Sequence, residues 1–251
     1  MSLSDEARKN RDELFPAGVA TLAHTDPEFI EYFGNFAFGD VVRGSALRPT
    51  TRLMVQLAAV IAAQALTEFR AMVGAALTIG VTPVEIKEVV YQSVPYVGMA
   101  KALDFLRVAN DVLTERGIDL PLPGQSTTTP ETRAAAGLAV QKLIVGHDRV
   151  ERMYAGAPED QAHIQQFLSG NCFGDHYTRT GIDVPTRELL TFSMLVSLGG
   201  CDPQVAGHVA ANLNVGNSRG VLVDVLTQLL PYIGYPRTLN GLRIVNEGTS
   251  D

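Results

Sequence analysis

The chain has 251 residues, of which 46% are hydrophobic and only 7% aromatic, with no tryptophan. Because Ala, Val and Leu must then supply most of the core, this composition favours helices over a β-sandwich. The 20 basic and 27 acidic residues give a net charge of −7, and no basic stripe indicates a nucleic-acid partner.

Targeting segments and redox motifs are not apparent in the sequence. Residues 1–15 are charged throughout and lack the apolar run of a signal peptide. The most apolar stretch, 53–66, contains two glutamines and is too short to span a membrane. Cys172 and Cys201 form no Cys-x-x-Cys motif. We therefore expect a cytoplasmic protein with reduced thiols and no membrane association.

Helical patterns and capping residues occur along the first half of the chain. Ser4 or Asp5 is predicted to cap an opening helix, and the Asp-Pro pair at 26–27 to start a helix that runs through Phe38. The segment 49–66 is almost entirely apolar after its first turn. Such a helix is typical of a position buried on most sides.

Further caps and breaks follow. Thr67 is predicted to cap the next helix, which Gly80 ends, and Thr82 to cap the one after it. Pro95 and Gly98 are predicted to break the pattern before a last helix. The predicted caps of the second half are Asp183, Asp202 and Ser218. No stretch alternates with a period of two, so we predict no sheet.

Two blocks of sequence occur twice, in the same order. The segment FGDVVRGSALRPTTR at 38–52 matches FGDHYTRTGIDVPTR at 173–187 with an offset of 135. The segment QSVPYVGMAKALDFLRVAN at 92–110 matches QLLPYIGYPRTLNGLRIVN at 228–246 with an offset of 136. Identities this dense in a conserved order indicate a tandem duplication.

The segment 120–130, rich in Pro, Gly, Ser and Thr, is predicted to link the two copies. The first copy then covers 1–119 and the second 131–251, each of a normal domain size. We predict an all-α protein in which two tandem helical bundles fold against each other as a pseudo-dimer.

The motifs of each copy resemble the carboxymuconolactone decarboxylase family. Each copy has a Gly-acidic pair, then Thr-Arg opening an apolar helix, a short break and a helix ending in A-x-L-x-x-G. The motif Q-x-x-x-Y-x-G-x-x-x-A follows in the first copy, and the second copy matches it except for Thr238 in place of the final alanine. Thiol peroxidases of the alkylhydroperoxidase D type belong to the same superfamily. The resemblance covers nearly the whole chain and implies the alkylhydroperoxidase D-like fold. It also implies a homo-oligomer, such as a trimer of pseudo-dimers.

The peroxidase branch carries Cys-x-x-Cys-x-x-x-His at a helix N-terminus, where a thiol is expected to have a lowered pKa. The matching positions are Cys201, Gln204 and His208 in the second copy, and Ala65, Glu68 and Met72 in the first. Because the second thiol is missing, a dithiol peroxidase cycle is not expected. Cys201 with His208 remains as a candidate for a peroxidase-related thiol activity.

The decarboxylase branch has a glutamate four residues before the histidine, on the same helix face. Here the two members are divided, since the first copy keeps Glu68 and the second keeps His208. In a functional interpretation, His208 is the general acid and base, Gln204 orients it, and Glu68 is vestigial or reaches in from the other copy. In a structural interpretation, His208 is an ordinary helix histidine and Glu68 a solvated first-turn acid.

A carboxylated substrate would need cationic and hydrogen-bonding partners. The candidate substrate-binding residues are Arg187, Arg179, Tyr232 and His176. Arg187 and its equivalent Arg52 have an alternative role, which is to tie helices together through Asp175 and Asp40. No His-x-x-x-His or Glu-x-x-His pair predicts a metal site.

Three functions therefore remain open. The resemblance implies a cofactor-independent lyase that acts on a small carboxylated lactone or related oxygenated acid, with His208 moving protons and an arginine holding the carboxylate. The second is the thiol activity at Cys201 and His208. The third is a scaffold or binding protein that kept the fold without the chemistry.

Overall fold

The computed structural model describes residues 2–16 and 22–249. Within these ranges the chain folds into helices and connecting segments, and no strand forms. The core is built mainly from Ala, Val, Leu and Ile side chains, as the composition suggested. The prediction of an all-α tandem bundle is confirmed.

In the first copy, α-helices precede and follow a short π-helical turn. Its α-helices are α1 (Asp5–Leu14), α2 (Leu22–Thr25), α3 (Pro27–Asn35), α4 (Val41–Arg43), α5 (Pro49–Ala62), α6 (Leu66–Thr78), α7 (Pro83–Val97) and α8 (Met99–Glu115). A π-helical turn, Phe36–Asp40, joins α3 to α4. The helix predicted to run through Phe38 therefore ends as an α-helix at Asn35 and continues as a π-helix.

The second copy repeats this order with a longer π-helical segment. Its α-helices are α9 (Arg133–Val145), α10 (His147–Ala155), α11 (Ala162–Phe167), α12 (Val184–Leu198), α13 (Asp202–Asn214) and α14 (Arg219–Gly248). The 3₁₀ turn Glu159–Gln161 precedes α11, and the π-helical segment Leu168–Tyr177 follows it.

Most of the predicted caps form the expected hydrogen bonds. Ser4, Asp183 and Ser218 each accept a backbone N–H from the first turn of their helix. Thr82 forms a reciprocal capping box with Glu85.

Three other predicted caps differ in part or in full. Asp26 is the N-cap residue of α3 and Pro27 begins that helix, as predicted. The carboxylate of Asp26 makes no capping hydrogen bond, because it accepts the hydroxyl of Thr25 instead. Thr67 and Asp202 lie inside their helices rather than before them, since α6 begins at Leu66 and α13 begins at Asp202.

The two copies share one hydrophobic core because their helices cross between the halves. The most apolar helices, α5 and α12, pack against each other. The first copy's α7 packs on α12, and the second copy's α14 packs on α5. Each copy therefore contributes residues to the surroundings of the other copy's central helix.

The break between the last two helices of each copy falls at an equivalent glycine. Gly98 ends α7 with φ 82°, and Gly234 bends α14 with φ 78°. Only glycine adopts such positive φ values at low cost. Pro95, also predicted to break the helix, lies inside α7.

Residues 120–129 form no helix, and hydrogen bonds hold this segment against the second copy. The hydroxyls of Thr127 and Thr128 donate to the backbone oxygens of Thr178 and Gly174 at 2.9 and 3.0 Å. The segment thus lies against the protein surface rather than extending away from it. None of the helices in the described ranges has the length and apolar character needed to cross a bilayer.

Candidate active site

A buried carboxylate and a histidine meet where α12 and α13 pack together. Glu188 on α12 is completely buried, and its Oε2 lies 2.8 Å from Nδ1 of His208 on α13. Because a carboxylate only accepts hydrogen bonds, Nδ1 carries the hydrogen and Nε2 is left for another partner. The side chain of His208 keeps 19% of its exposure, so solvent or a ligand can reach it.

The second oxygen of Glu188 is held by a tyrosine. Tyr177 donates its hydroxyl to Glu188 Oε1 at 2.6 Å, and its oxygen lies 2.8 Å from Thr191 Oγ1. Asn212 on α13 donates to the backbone oxygens of Glu188 and His208. These bonds hold the carboxylate and the imidazole in one orientation, as a buried charge requires.

Tyr96 enters this site from the first copy. Its hydroxyl lies 3.0 Å from that of Tyr177 and 3.9 Å from the sulfur of Cys172. Its ring stands edge-on to the imidazole of His208, with the centroids 6.0 Å apart. Burial raises the pKa of Tyr96, and burial raises the pKa of the Cys172 thiol to about 12. Both groups are therefore protonated hydrogen-bond partners at neutral pH.

Cys172 and Tyr177 belong to the π-helical segment Leu168–Tyr177. An i→i+5 turn changes the direction of side chains relative to an α-helix and is frequent at functional sites. Neither residue was among the sequence candidates, because a π-helix has no simple pattern in a single sequence.

The predicted partners of His208 lie elsewhere. Gln204 is exposed and forms no hydrogen bond with His208 in the described structure, so the residue that orients the imidazole is Glu188. Glu68 is also exposed, and desolvation by the surrounding protein raises its pKa. Its charge acts on Tyr232 of the second copy, on the opposite side of the pseudo-dimer from Tyr96, which corrects the expectation that Glu68 reaches the site of His208.

Cys201 lies directly before α13, at the helix N-terminus that the resemblance implied, but its thiol is not activated. The thiol donates to the backbone oxygen of Leu195 at 3.1 Å. Burial, and next the charge of Asp202, raise the pKa of Cys201. The lowered pKa expected from the helix N-terminus is therefore wrong for this geometry.

Arg187 has its guanidinium enclosed by protein groups. It is fully buried and donates to Glu88 Oε2 at 2.7 Å and to Gln92 Oε1 at 3.0 Å. These contacts favour the role of tying helices together. Its partner is Glu88 on α7, and not Asp175, which pairs with Arg133 instead.

The remaining candidates form no contact with His208 in the described residues. Arg179 is half-buried, binds Glu88 and lies over the ring of Tyr91 at 5.0 Å. The Nδ1 atom of His176 is buried without a partner, and burial lowers the pKa of that imidazole. Tyr232 is a half-buried residue of the second copy near Arg52 of the first copy, and burial raises the pKa of Tyr232.

The equivalent positions of the first copy lack these functional groups. Leu53 stands where the second copy has Glu188, and Met72 stands where it has His208. Both are buried in the hydrophobic core. The carboxylate–imidazole pair therefore belongs to the second copy.

Glu188 and Tyr96 were also not among the sequence candidates, although each had a detectable signal. Glu188 is an acidic residue in a helix predicted to be buried on one side or more, where a charge is unusual unless it is partnered. Tyr96 is the repeat equivalent of Tyr232, the candidate that was chosen. The choice between the two tyrosines required knowing that α7 crosses to the other copy.

Metal ligands do not gather at this site or elsewhere in the described residues, since no three His, Cys, Asp or Glu side chains group to hold an ion. The fold and the site define a duplicated all-helical protein with a buried carboxylate–imidazole pair.

The family follows from comparison with known proteins. The family model described as "Carboxymuconolactone decarboxylase family" matches residues 27–111 and 162–247. Together the two matches cover more than half of the chain, which therefore belongs to this family. A 4-carboxymuconolactone decarboxylase from Acinetobacter baylyi is 26% identical over 121 residues, which are 48% of this chain and 90% of that protein. These findings support a function related to that of the family.

Proposed function

We propose that this protein is a decarboxylase-type lyase that removes CO₂ from a small carboxylated lactone, with His208 as general acid and base. The observation that carries the proposal is the 2.8 Å contact between the buried carboxylate of Glu188 and Nδ1 of His208. Such a carboxylate fixes the imidazole tautomer and stabilises the imidazolium that forms during proton transfer. Similarity to a 4-carboxymuconolactone decarboxylase supports the choice of reaction.

The chemistry requires one proton donor placed next to the substrate. The bond between the ring carbon and the carboxylate breaks, its electron pair moves into a conjugated carbonyl, and CO₂ leaves. His208, as an imidazolium that carries a second proton on Nε2 and is paired with Glu188 through Nδ1, delivers the Nε2 proton to carbon. The imidazole is then neutral with its hydrogen on Nδ1, and it takes another proton from water at Nε2. Because the electron pair stays in the product, the reaction needs no redox cofactor.

The imidazole of His208 is already held in one orientation before a substrate binds. Glu188 holds Nδ1, and the ring of Tyr96 stands beside the imidazole at a centroid distance of 6.0 Å. We assign the Tyr96 ring to a wall of the substrate site. Proton transfer from a positioned group of this kind contributes a factor of about 10²–10⁴ to the rate. The proposal places one such site in each chain, in the second copy.

The test measures turnover of 4-carboxymuconolactone, the compound that appears in the name of the relative. We expect the wild-type chain to consume it, and His208→Gln to lower kcat by a factor of about 10²–10⁴. Glu188→Gln keeps the shape of the side chain but removes the charge, so it should also lower kcat. Substrate loss and CO₂ release are measured together, and circular dichroism checks that each variant is folded.

His147→Gln is the matched control, because His147 is an exposed histidine outside the site. We expect it to retain wild-type turnover. Full activity of His208→Gln would remove the proposed role of His208. A folded wild-type chain that turns over neither this lactone nor other carboxylated lactones would favour the binding-protein alternative instead.

A further inference from the structure

A cavity of about 310 Å³ lies between α7, α8 and the segment 120–125. Its lining includes neither Glu188 nor His208. One wall is apolar and is formed by Val84 and by residues 120–123. The polar groups on its lining are Lys87, Glu88, Tyr91, Asn110, Gln125 and Arg179. The volume is within the range of small-molecule sites.

The floor of this cavity carries an excess of positive charge. Glu88 is 1% exposed, and both Arg179 and Arg187 bind its carboxylate, at 2.8 and 2.7 Å. Two guanidinium groups on one carboxylate leave one positive charge, and Lys87 on the cavity wall adds a second. This excess is local, because the chain as a whole has a net charge of −7.

Lys87 has no acidic partner in the described residues. Its ammonium group donates to the neutral side-chain oxygen of Asn110. Desolvation lowers the pKa of Lys87, with no compensating negative charge. A partly buried ammonium group in this situation would be stabilised by an anion that enters the cavity.

Comparison of the two copies shows that the fold does not need these groups. At the equivalent positions Lys87 is replaced by Val223, and Arg179 by Gly44. Asp224 stands at the position equivalent to Glu88, and its carboxylate accepts a backbone N–H from the 44–47 loop. Lys87 of the first copy and Arg179 of the second therefore provide cationic groups only at the one of the two equivalent places that the 120–125 segment covers.

We propose that this cavity binds a small organic carboxylate with an apolar body. The carboxylate would lie against the ammonium group of Lys87 and the guanidinium of Arg179, and the apolar body against Leu120 and Leu122. The carboxylate of such a ligand would pair with the excess positive charge, and its apolar body would cover the apolar wall of the cavity. The site is separate from the proposed catalytic site, and its occupation does not depend on turnover.

The test uses benzoate as the probe, with benzamide as a neutral compound of the same shape. Isothermal titration of the full chain should show saturable binding of one benzoate per chain and no measurable binding of benzamide. Lys87→Met should weaken benzoate binding about tenfold or more, because it removes a charge-assisted contact. Valine at the equivalent position of the other copy indicates that the fold accepts an apolar residue there.

Two controls separate this site from others. Lys101→Met removes an exposed lysine of α8 and should leave benzoate binding unchanged. His208→Gln should also leave it unchanged, since His208 does not line the cavity. If Lys87→Met does not fold by circular dichroism, Lys87→Gln takes its place, with the same expected loss.

Three results would overturn the proposal. The first is that the folded wild-type chain shows no saturable binding of benzoate, and the second is equal affinity in wild type and the Lys87 variant. The third is loss of binding in His208→Gln with retention in Lys87→Met, which would place the benzoate at the catalytic pair. None of these results depends on whether the chain is a decarboxylase.

Discussion

Glu188 lies where an unpaired charge would be strongly destabilising, because its side chain is fully buried in α12. Tyr177 satisfies one of its oxygens and His208 the other. Removing the charge while keeping the shape is therefore the mildest way to test its role. The glutamine variant leaves an amide that can still bond both partners, so a loss of activity would report on charge rather than on folding.

The buried polar groups form one path between the candidate active site and the cavity beside the segment 120–125. Each neighbour along it is within hydrogen-bond distance of the next. The path consists of Glu188, Tyr177, Thr191, Gln92, Arg187 and Glu88. Linked networks of this kind rigidify a core when every member is satisfied. The site of His208 is thus fixed by residues from both copies.

The thiol of Cys201 provides a residue-scale prediction about pH. Burial and Asp202 raise its pKa, so the reactive thiolate forms at higher pH than for a free cysteine. We expect iodoacetamide to alkylate Cys201 in the folded chain more slowly at pH 7.5 than in the chain unfolded in guanidinium. The rate should still rise with pH beyond about 8.5, where a free cysteine is half ionised. Intact mass spectrometry with peptide mapping measures both rates.

Cys172 is the internal control, since it is buried with its pKa raised to about 12 and should react only after unfolding. Faster alkylation of Cys201 in the folded chain than in the unfolded one would contradict the raised pKa. That result would also favour the alternative of a peroxidase-related thiol activity.

At the scale of elements, local sequence chemistry predicted the helices well. Thr82, Asp183 and Ser218 cap helices as expected because an N-cap needs only a side-chain oxygen at the right position. The break at Gly98 likewise depends on a local backbone preference. Duplication was visible as repeated blocks of identical residues.

The contents of the site were harder to predict because they depend on packing between distant elements. Tyr96 on α7 reaches His208 on α13 through the crossing of the two copies, which no local pattern contains. Gln204 was the predicted partner of His208 because it lies one helical turn away in sequence. The structure brings in the residue from the neighbouring helix instead.

The contact between α9 and the π-helical segment Leu168–Tyr177 provides an element-scale prediction. A Cβ added at Gly174 would lie 2.2 Å from the backbone oxygen of Arg133, which cannot move without shifting α9. We expect Gly174→Ala to lower the free energy of unfolding by about 1–3 kcal/mol or more. Urea unfolding followed by circular dichroism measures the difference.

Gly170→Ala is the matched control in the same segment. Its added Cβ would make an ordinary contact of 3.8 Å with Ala134. We expect little change in stability for this variant. Equal stabilities of the two variants would show that α9 does not approach the π-helical segment as closely as described.

At the scale of the whole molecule, exposed apolar side chains recur at equivalent positions of the two copies. Four pairs are each 40% exposed or more. They are Phe29 with Ile164, Tyr32 with Phe167, Met99 with Tyr235, and Leu103 with Leu239. Single exposed apolar residues are ordinary, but a set repeated in both copies points to a shared role. A partner that contacts both copies alike must itself have two similar halves, as a second copy of this chain has.

We therefore propose that the protein forms a closed homo-oligomer, a trimer of pseudo-dimers, through these surfaces. Sedimentation equilibrium of the wild-type chain should give the mass of three 27.0 kDa chains. The double variant Leu103→Lys and Leu239→Lys should sediment as smaller species, because buried lysines without partners oppose association. Leu143→Lys changes an exposed leucine outside both family matches, and it should keep the wild-type mass. A wild-type chain that sediments as a monomer at all concentrations would show that the repeated apolar positions serve another purpose.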